Sequence, residues 1–158
     1  MPARKVTKKP TDAIALLKED HKKVRGLLEQ LEKSSSASRR EQLSAKIERE
    51  LKIHTTIEEE IFYPAYKEAA KKKDDRELFF EAKEEHHVVD LVLPEVRGTA
   101  PDAEEYEAKA KVLKELVLHH AKEEEKEMFP RAKKLMSKDE LLELGAQLQA
   151  RKKALGAR

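Results

Sequence analysis

The sequence predicts an all-α protein, an up-down-up-down four-helix bundle with an additional short C-terminal helix. Three observations predict it. Aromatic residues are 4% of the 158, there is no Trp, and 4 Gly and 6 Pro leave little of the aromatic and turn-rich material of a sheet protein. Apolar residues recur at spacings of three, four and seven through four long stretches, the period of an amphipathic helix. Charged residues reach 42%, so each stretch has a narrow apolar stripe and a wet remainder, and no such helix is stable until its stripe is packed against others.

The first helix opens at Thr11 and Asp12 and carries Leu17, Val24, Leu28 and Leu31 on one face, ending in the polar loop Ser34-Ser35-Ser36. Ser38 and Glu41 have the spacing of a capping box, which starts a second helix near Arg39. Its stripe runs through Leu43, Ile47 and Leu51 to Ile61, and Pro64 is expected to kink or stop it. Asp74 to Glu77 repeats the cap signal ahead of a third helix with Phe79, Ala82, Val89, Leu93 and Val96. Gly98 stands where a left-handed residue would end that helix. A fourth helix begins around Pro101 and Asp102, passes Leu113, Leu116 and Val117, and meets Pro130 as the second met Pro64. Ser137 and Glu140 cap a fifth, with Leu141, Leu144 and Leu148 on one face, expected to lie across one end of the bundle. The chain thus divides into a flexible basic tail at 1–10, a bundle at 11–136, and a C-terminal helix with a frayed end at 137–158.

Composition excludes several classes. Without Cys there are no disulfides, thiolate metal sites, iron-sulfur clusters or thiol catalysis. No apolar run approaches the roughly 20 residues of a membrane span. Residues 1–10 are basic but hold no apolar core of a secretory signal, so a cytoplasmic location is expected. With 34 Lys+Arg against 32 Asp+Glu the net charge is +2, which gives no broad basic face and makes nucleic acid an unfavoured partner.

The chain repeats itself. A shift of 66 lays His54, Glu58 and Pro64 on His120, Glu124 and Pro130, and a shift of 65 lays EDHKKVRGLL, with His21, over EEHHVVDLVL, with His86. Two copies of one helix pair imply a pseudo-twofold bundle. His21, His54, His86 and His120 all fall on core-facing positions, and Glu58 and Glu124 each lie one turn beyond a histidine on the same face. A single His-x-x-x-Glu is weak evidence in so acidic a chain, and a lone core histidine is more often structural. Four imidazoles and two carboxylates inside one bundle, with no Lys or Arg on those stripes, are harder to dismiss. Buried carboxylates without a partner cost several kcal/mol or protonate, and two bound cations remove the difficulty.

Nitrogen and oxygen donors without sulfur suit iron, zinc or manganese, and four histidines are too many for magnesium or calcium. Six ligands exceed a tetrahedral zinc site but fit two adjacent metals bridged by Glu58 and Glu124. Two iron ions are favoured because a bridged pair leaves room for a small ligand; zinc and manganese stay open. His87, Asp90, His119 and Glu125 are additional or alternative ligands. The repeat and the spacing to Pro130 favour His120 over His119, and the run Phe79, Ala82, His86, Val89, Leu93 favours His86 over His87.

The strings EDHKKVRGLLEQL, KIHTTIEEEIFYPA, EEHHVVDLVLPEV and HHAKEEEKEMFPRA closely resemble the hemerythrin-like HHE cation-binding family over about residues 11–136, and KDELLELGAQLQARKKAL looks like the tail of bacterial members. The resemblance implies a four-helix bundle holding an oxo- or hydroxo-bridged di-iron centre, with His21, His54, Glu58, His86, His120 and Glu124 as ligands. Its functions in the family include oxygen carriage or storage, sensing of oxygen, nitric oxide or iron, and peroxide handling. Oxygen-carrying members place a second histidine one turn from the third-helix ligand, where this chain has Asp90 or Ala82, and a carboxylate five after the fourth-helix histidine, which here is Glu125. The chain is closer to the four-His, two-Glu variant, which puts reversible oxygen carriage in question.

Three functions follow as expectations. The first is a non-haem di-iron protein that binds, senses or scavenges O2, nitric oxide or peroxide, or holds iron, with Leu51, Ile61, Phe62, Val89 and Val117 excluding water. With no output domain in the chain, sensing would need a separate protein partner. The second is a di-iron peroxidase, catalase-like enzyme or oxidase. Ferritin-like sites use Glu-x-x-His on two helices, and here Glu84 to His87 alone has that spacing, which argues against the ferritin version. The third is a metal-free interaction module whose basic tail, Arg4, Lys5, Lys8 and Lys9, touches nucleic acid.

Overall fold

A computed structural model describes residues 11–157, and the expected tail at 1–10 lies outside them. Every regular element among the described residues is helical. Helix α1 spans Ala13–Lys33 and α2 spans Ala37–Ile57; a π-helical turn, Glu58–Phe62, joins α2 to α3, Tyr63–Ala69. Helix α4 spans Lys73–Gly98, and α5 spans Tyr106–Glu123 before a second π turn, Glu124–Met128, leads into α6, Phe129–Leu135. Helix α7 spans Lys138–Ala154. Contacts of α1 with α2, α2 with α4, α4 with α5 and α5 with α1 close the four-helix ring.

The helix starts follow from their caps, with three shifts from expectation. Asp12 accepts the Ala15 N–H at 2.8 Å and Ser137 accepts that of Glu140 at 3.1 Å, as the sequence predicts. At α2 the cap is Ser36, accepting from Arg39 at 3.3 Å, because the helix already runs from Ala37; Ser38 sits inside its first turn and Glu41 pairs instead with Arg97. Helix α4 starts two residues early, at Lys73, so Asp74 and Asp75 lie within its first turn, where the helix dipole favours negative charge. Gly98 is the last residue of α4 and is followed by extended Thr99; the positive φ among the described residues belongs to Gly156, not Gly98. Residues 101–105 form turns, so α5 begins at Tyr106, later than expected.

Pro64 and Pro130 do not end their helices. Each follows a π turn, whose i+5 bonding is visible where the Tyr63 N–H meets the Glu58 carbonyl and the Phe129 N–H that of Glu124. Proline lacks an N–H and crowds the carbonyl four residues back. The wider turn absorbs both defects, and the helix continues.

Helix α7 packs lengthwise along α1 and α2, not across an end. Gly145 permits the approach: a Cβ there would lie 2.1 Å from the Thr11 carbonyl oxygen. Arg151 forks onto Glu60 at 2.7 and 3.1 Å, Lys152 pairs with Asp20, and Arg49 donates to the Gly156 carbonyl. Residues 155–157 are tied down by backbone bonds to Arg151, Lys152 and Lys153, where the sequence suggested fraying, and Arg158 lies outside the described residues.

The core is two apolar halves with a polar layer between them. One half gathers Leu17, Ile57, Phe62, Ala82 and Phe129; the other gathers Val24, Leu51, Val89, Leu113 and Val117. Each core histidine sits at the junction, as His21 does between Leu17 and Val24. No helix among the described residues is long and apolar enough to cross a membrane.

Candidate metal centre

The junction layer collects six sequence-predicted residues, all buried: His21, His54, Glu58, His86, His120 and Glu124. Their donor atoms form two overlapping groups, His21 with His54, Glu58 and Glu124, and His86 with His120 and Glu58. Glu58 belongs to both. Its Oε1 lies 2.9 Å from His54 Nε2 and 3.3 Å from His86 Nε2, while Glu124 Oε1 lies 2.8 Å from His120 Nε2 and 3.5 Å from His21 Nε2. Two donors each about 2.1 Å from one metal at right angles stand about 3 Å apart. The observed separations have that size.

The other predicted candidates fall outside this layer. His87 and Asp90 are exposed on α4. His119 is also exposed and stands 3.5 Å from Glu85. Glu125 reaches the layer from outside, 3.8 Å from the outer ring nitrogen of His21. Ile61 is half-buried on the flank, because the π turn rotates it off the stripe that α-helical spacing assigned it.

Three carboxylates were not foreseen. His54 Nδ1–H donates to Asp20 at 2.9 Å, His86 Nδ1–H to Glu59 at 3.1 Å, and His120 Nδ1–H to Glu85 at 3.0 Å. With Glu125 facing His21, every core imidazole turns one nitrogen outward to a carboxylate from another helix and the other nitrogen inward. The pattern obeys the repeat, since a shift of 65 takes Asp20 to Glu85 and a shift of 66 takes Glu59 to Glu125. Such outer carboxylates fix ring orientation and tautomer and make the inner nitrogen a better metal donor.

With its hydrogen committed outward, a neutral imidazole presents a bare lone pair inward. His86 Nε2 and His120 Nε2 face each other at 3.0 Å, and His54 Nε2, both oxygens of Glu58 and Oε1 of Glu124 have no hydrogen-bond partner. Buried lone pairs held this close repel unless a cation lies between them. The donor set therefore fits a pair of metal ions. Where no metal is bound, protons answer the same field. Burial alone would lower His54, but the charge of Glu58 and the bond to Asp20 outweigh it and raise it to about 10. His120 is likewise raised against burial, chiefly by Glu124. Glu124 is held well below the usual carboxylate range despite burial, by His120 above all.

Tyr63 is the other residue that sequence reasoning missed. Its hydroxyl lies 3.1 Å from His86 Nε2 and 3.3 Å from His120 Nε2, and donates to Glu124 Oε2 at 3.2 Å. An α-helix turns about 100° per residue, so Tyr63, nine after His54, would face away; the π turn swings it in. In the repeat its counterpart is Phe129, which stacks on His21 at 5.8 Å. Burial, then the charges of Glu124 and Glu58, holds the Tyr63 phenol well above its ordinary value. On the opposite side of the layer a cavity of about 20 Å³, room for one water-sized molecule or so, meets all four imidazoles between Val24, Leu51, Val89 and Val117.

Fold and site together define a four-helix-bundle protein with a buried His/Glu donor set for metal. The chain belongs to the hemerythrin HHE cation-binding domain family, whose profile matches residues 12–132. It resembles the crystal structure of a hemerythrin HHE cation-binding domain-containing protein from Mycobacterium kansasii, with a TM-score of 0.80 and 30% identity, covering 92% of this chain and 87% of that one. It is also 24% identical over 143 residues to a protein named DNA nickase from Nostoc sp. (strain PCC 7120 / SAG 25.82 / UTEX 2576). That match takes in 90% of this chain, which spans 40% of the relative's length.

Proposed function

We propose that this chain is a non-haem dinuclear metal protein that binds, senses or scavenges O2, nitric oxide or peroxide, or holds iron. His21 and His54 would hold one ion, His86 and His120 the other, and Glu58 and Glu124 would be shared between them. The observation that carries this reading is the inward convergence of buried lone pairs without hydrogen-bond partners, each core imidazole facing a carboxylate on its outer side. Iron is the metal assigned, with zinc and manganese as the alternatives the donors also suit. Bound iron would supply an open coordination position and electrons for a small ligand. The chain's own part is to orient the donors, to exclude bulk water with Val24, Leu51, Val89 and Val117, and to admit a small molecule to the cavity beside the imidazoles.

A second reading, a peroxide-handling enzyme, is favoured by Tyr63, whose buried hydroxyl stands among the inner donors, donates to Glu124 Oε2 and would place an O–H beside an oxygen species held there. DNA nicking, the activity in the Nostoc relative's name, is not part of either reading, since the shared segment is a minor part of that protein and the net charge here is +2. Metal analysis of protein purified from its own host, with a visible spectrum before and after air and peroxide, separates the readings. Reversible oxidation on air supports carriage, irreversible oxidation supports sensing or scavenging, and turnover of peroxide makes the protein an enzyme. Absence of any bound transition metal would overturn both.

A further inference from the structure

The two halves of the repeat do not present equal charge to their imidazoles. Behind the His21/His54 position, both outer carboxylates are countered by cations. Lys152 of α7 pairs with Asp20 Oδ1, and Arg25 Nη2 lies 3.7 Å from Glu125 Oε2. Behind the His86/His120 position, Glu59 faces His86 and Glu85 faces His120, and neither carboxylate forms an ion pair with Lys or Arg among the described residues. Glu85 has exposed His119 at 3.5 Å instead. The register of the repeat explains the difference. A shift of 65 carries Arg25 onto Asp90, and Lys152 belongs to the helix outside the repeat.

A carboxylate that accepts an imidazole N–H pushes electron density to the far nitrogen and strengthens its hold on a metal. A cation on that carboxylate withdraws part of the push and adds its own repulsion of the bound ion. Lys152 and Asp20 are largely buried, with side chains 17% and 8% exposed, so water screens this pair weakly; Arg25, at 43%, acts less.

We propose that Lys152 and Arg25 are positioning residues that weaken the His21/His54 position, so that a divalent cation binds first and more tightly between His86 and His120. This rests on the metal-binding reading. It also gives α7 a role that its packing alone does not require, since the helix reaches His54 through Asp20.

The test is equilibrium binding of Mn(II), with free ion read by electron paramagnetic resonance, to chains left with a single complete position. His54→Ala keeps His86/His120, His120→Ala keeps His21/His54, and with one ion bound there is no ion–ion repulsion to confuse the comparison. The His54→Ala chain should bind Mn(II) about tenfold tighter. Adding Lys152→Met should tighten binding several-fold in the His120→Ala chain and leave the His54→Ala chain unchanged, and Lys152→Arg should restore the original value. Arg25→Met, at the more exposed of the two cations, should shift binding in the same direction by less. Equal affinities, or a Lys152→Met effect of the same size in both chains, overturns the proposal while leaving the metal centre intact. Failure of the unsubstituted chain to bind Mn(II) at all overturns the metal reading with it.

Discussion

Asp20 accepts the Nδ1 hydrogen of His54 at 2.9 Å, from a neighbouring helix, and the repeat reproduces the arrangement with Glu85 and His120 at 3.0 Å. The orientation of each ring is thus set from outside the centre. Asp20→Ala should leave the bundle folded but lower metal affinity about 10- to 100-fold, read by competition against a chelator. Asp20→Asn, which can still accept the hydrogen, should lie between the two.

Tyr63→Phe makes the first half of the repeat like the second, where Phe129 stands. Loss of a buried hydrogen bond to an ionised Glu124 should cost the apo protein about 2 kcal/mol in urea unfolding, while the metal-loaded variant should still hold two ions per chain. If metal content fell to half, the phenol would be needed to hold an ion at the His86/His120 position.

How much of this was legible in the sequence depended on the kind of signal. The stripes through His21, His54, His86 and His120 obey helical spacing, and that spacing placed the six inner donors in one layer. Pro64 and Pro130 read as stops because a π turn leaves no mark in hydrophobic periodicity, and with the π turn went Tyr63 and Ile61. Asp20, Glu59 and Glu85 were hidden in a chain that is 42% charged, where an acid beside a histidine carries little information. The signal was in the repeat, which aligns Asp20 with Glu85 and Glu59 with Glu125. Nothing in the local sequence marks Lys152, because its contact with Asp20 exists only once α7 has docked.

The apo protein should lose stability in alkali. His54 is raised from 6.5 to about 10 in the fold, so the stability from its protonated form is complete below pH 6.5 and lost as pH climbs through about 10. Thermal unfolding of apo protein between pH 7 and 10 should show a falling Tm, and His54→Ala should make that fall shallower without abolishing it, because His120 is raised as well. In the metal-loaded protein the ion replaces the proton, and this slope should be absent.

Docking of α7 should depend on Gly145, where an added Cβ would meet the Thr11 carbonyl oxygen at 2.1 Å and the Asp12 carbonyl carbon at 2.8 Å. Gly145→Ala should destabilise by about 1–3 kcal/mol and speed amide exchange along α7. Gly26→Ala, a helical site with nothing within 4 Å of the new Cβ, should be neutral or stabilising by up to about 1 kcal/mol. Equal effects at the two glycines would contradict the close approach of α7 to α1.

The central claim is that Glu58 and Glu124 join two histidine pairs into one dinuclear centre. Its most direct measurement is the metal content per chain of the unsubstituted protein and of Glu58→Ala combined with Glu124→Ala, each loaded with Fe(II) without air and passed over a desalting column. The account predicts two ions per chain in the first and far less than one in the second, with unchanged helical circular dichroism. Two ions retained by the double variant, or none in the unsubstituted protein, would contradict it.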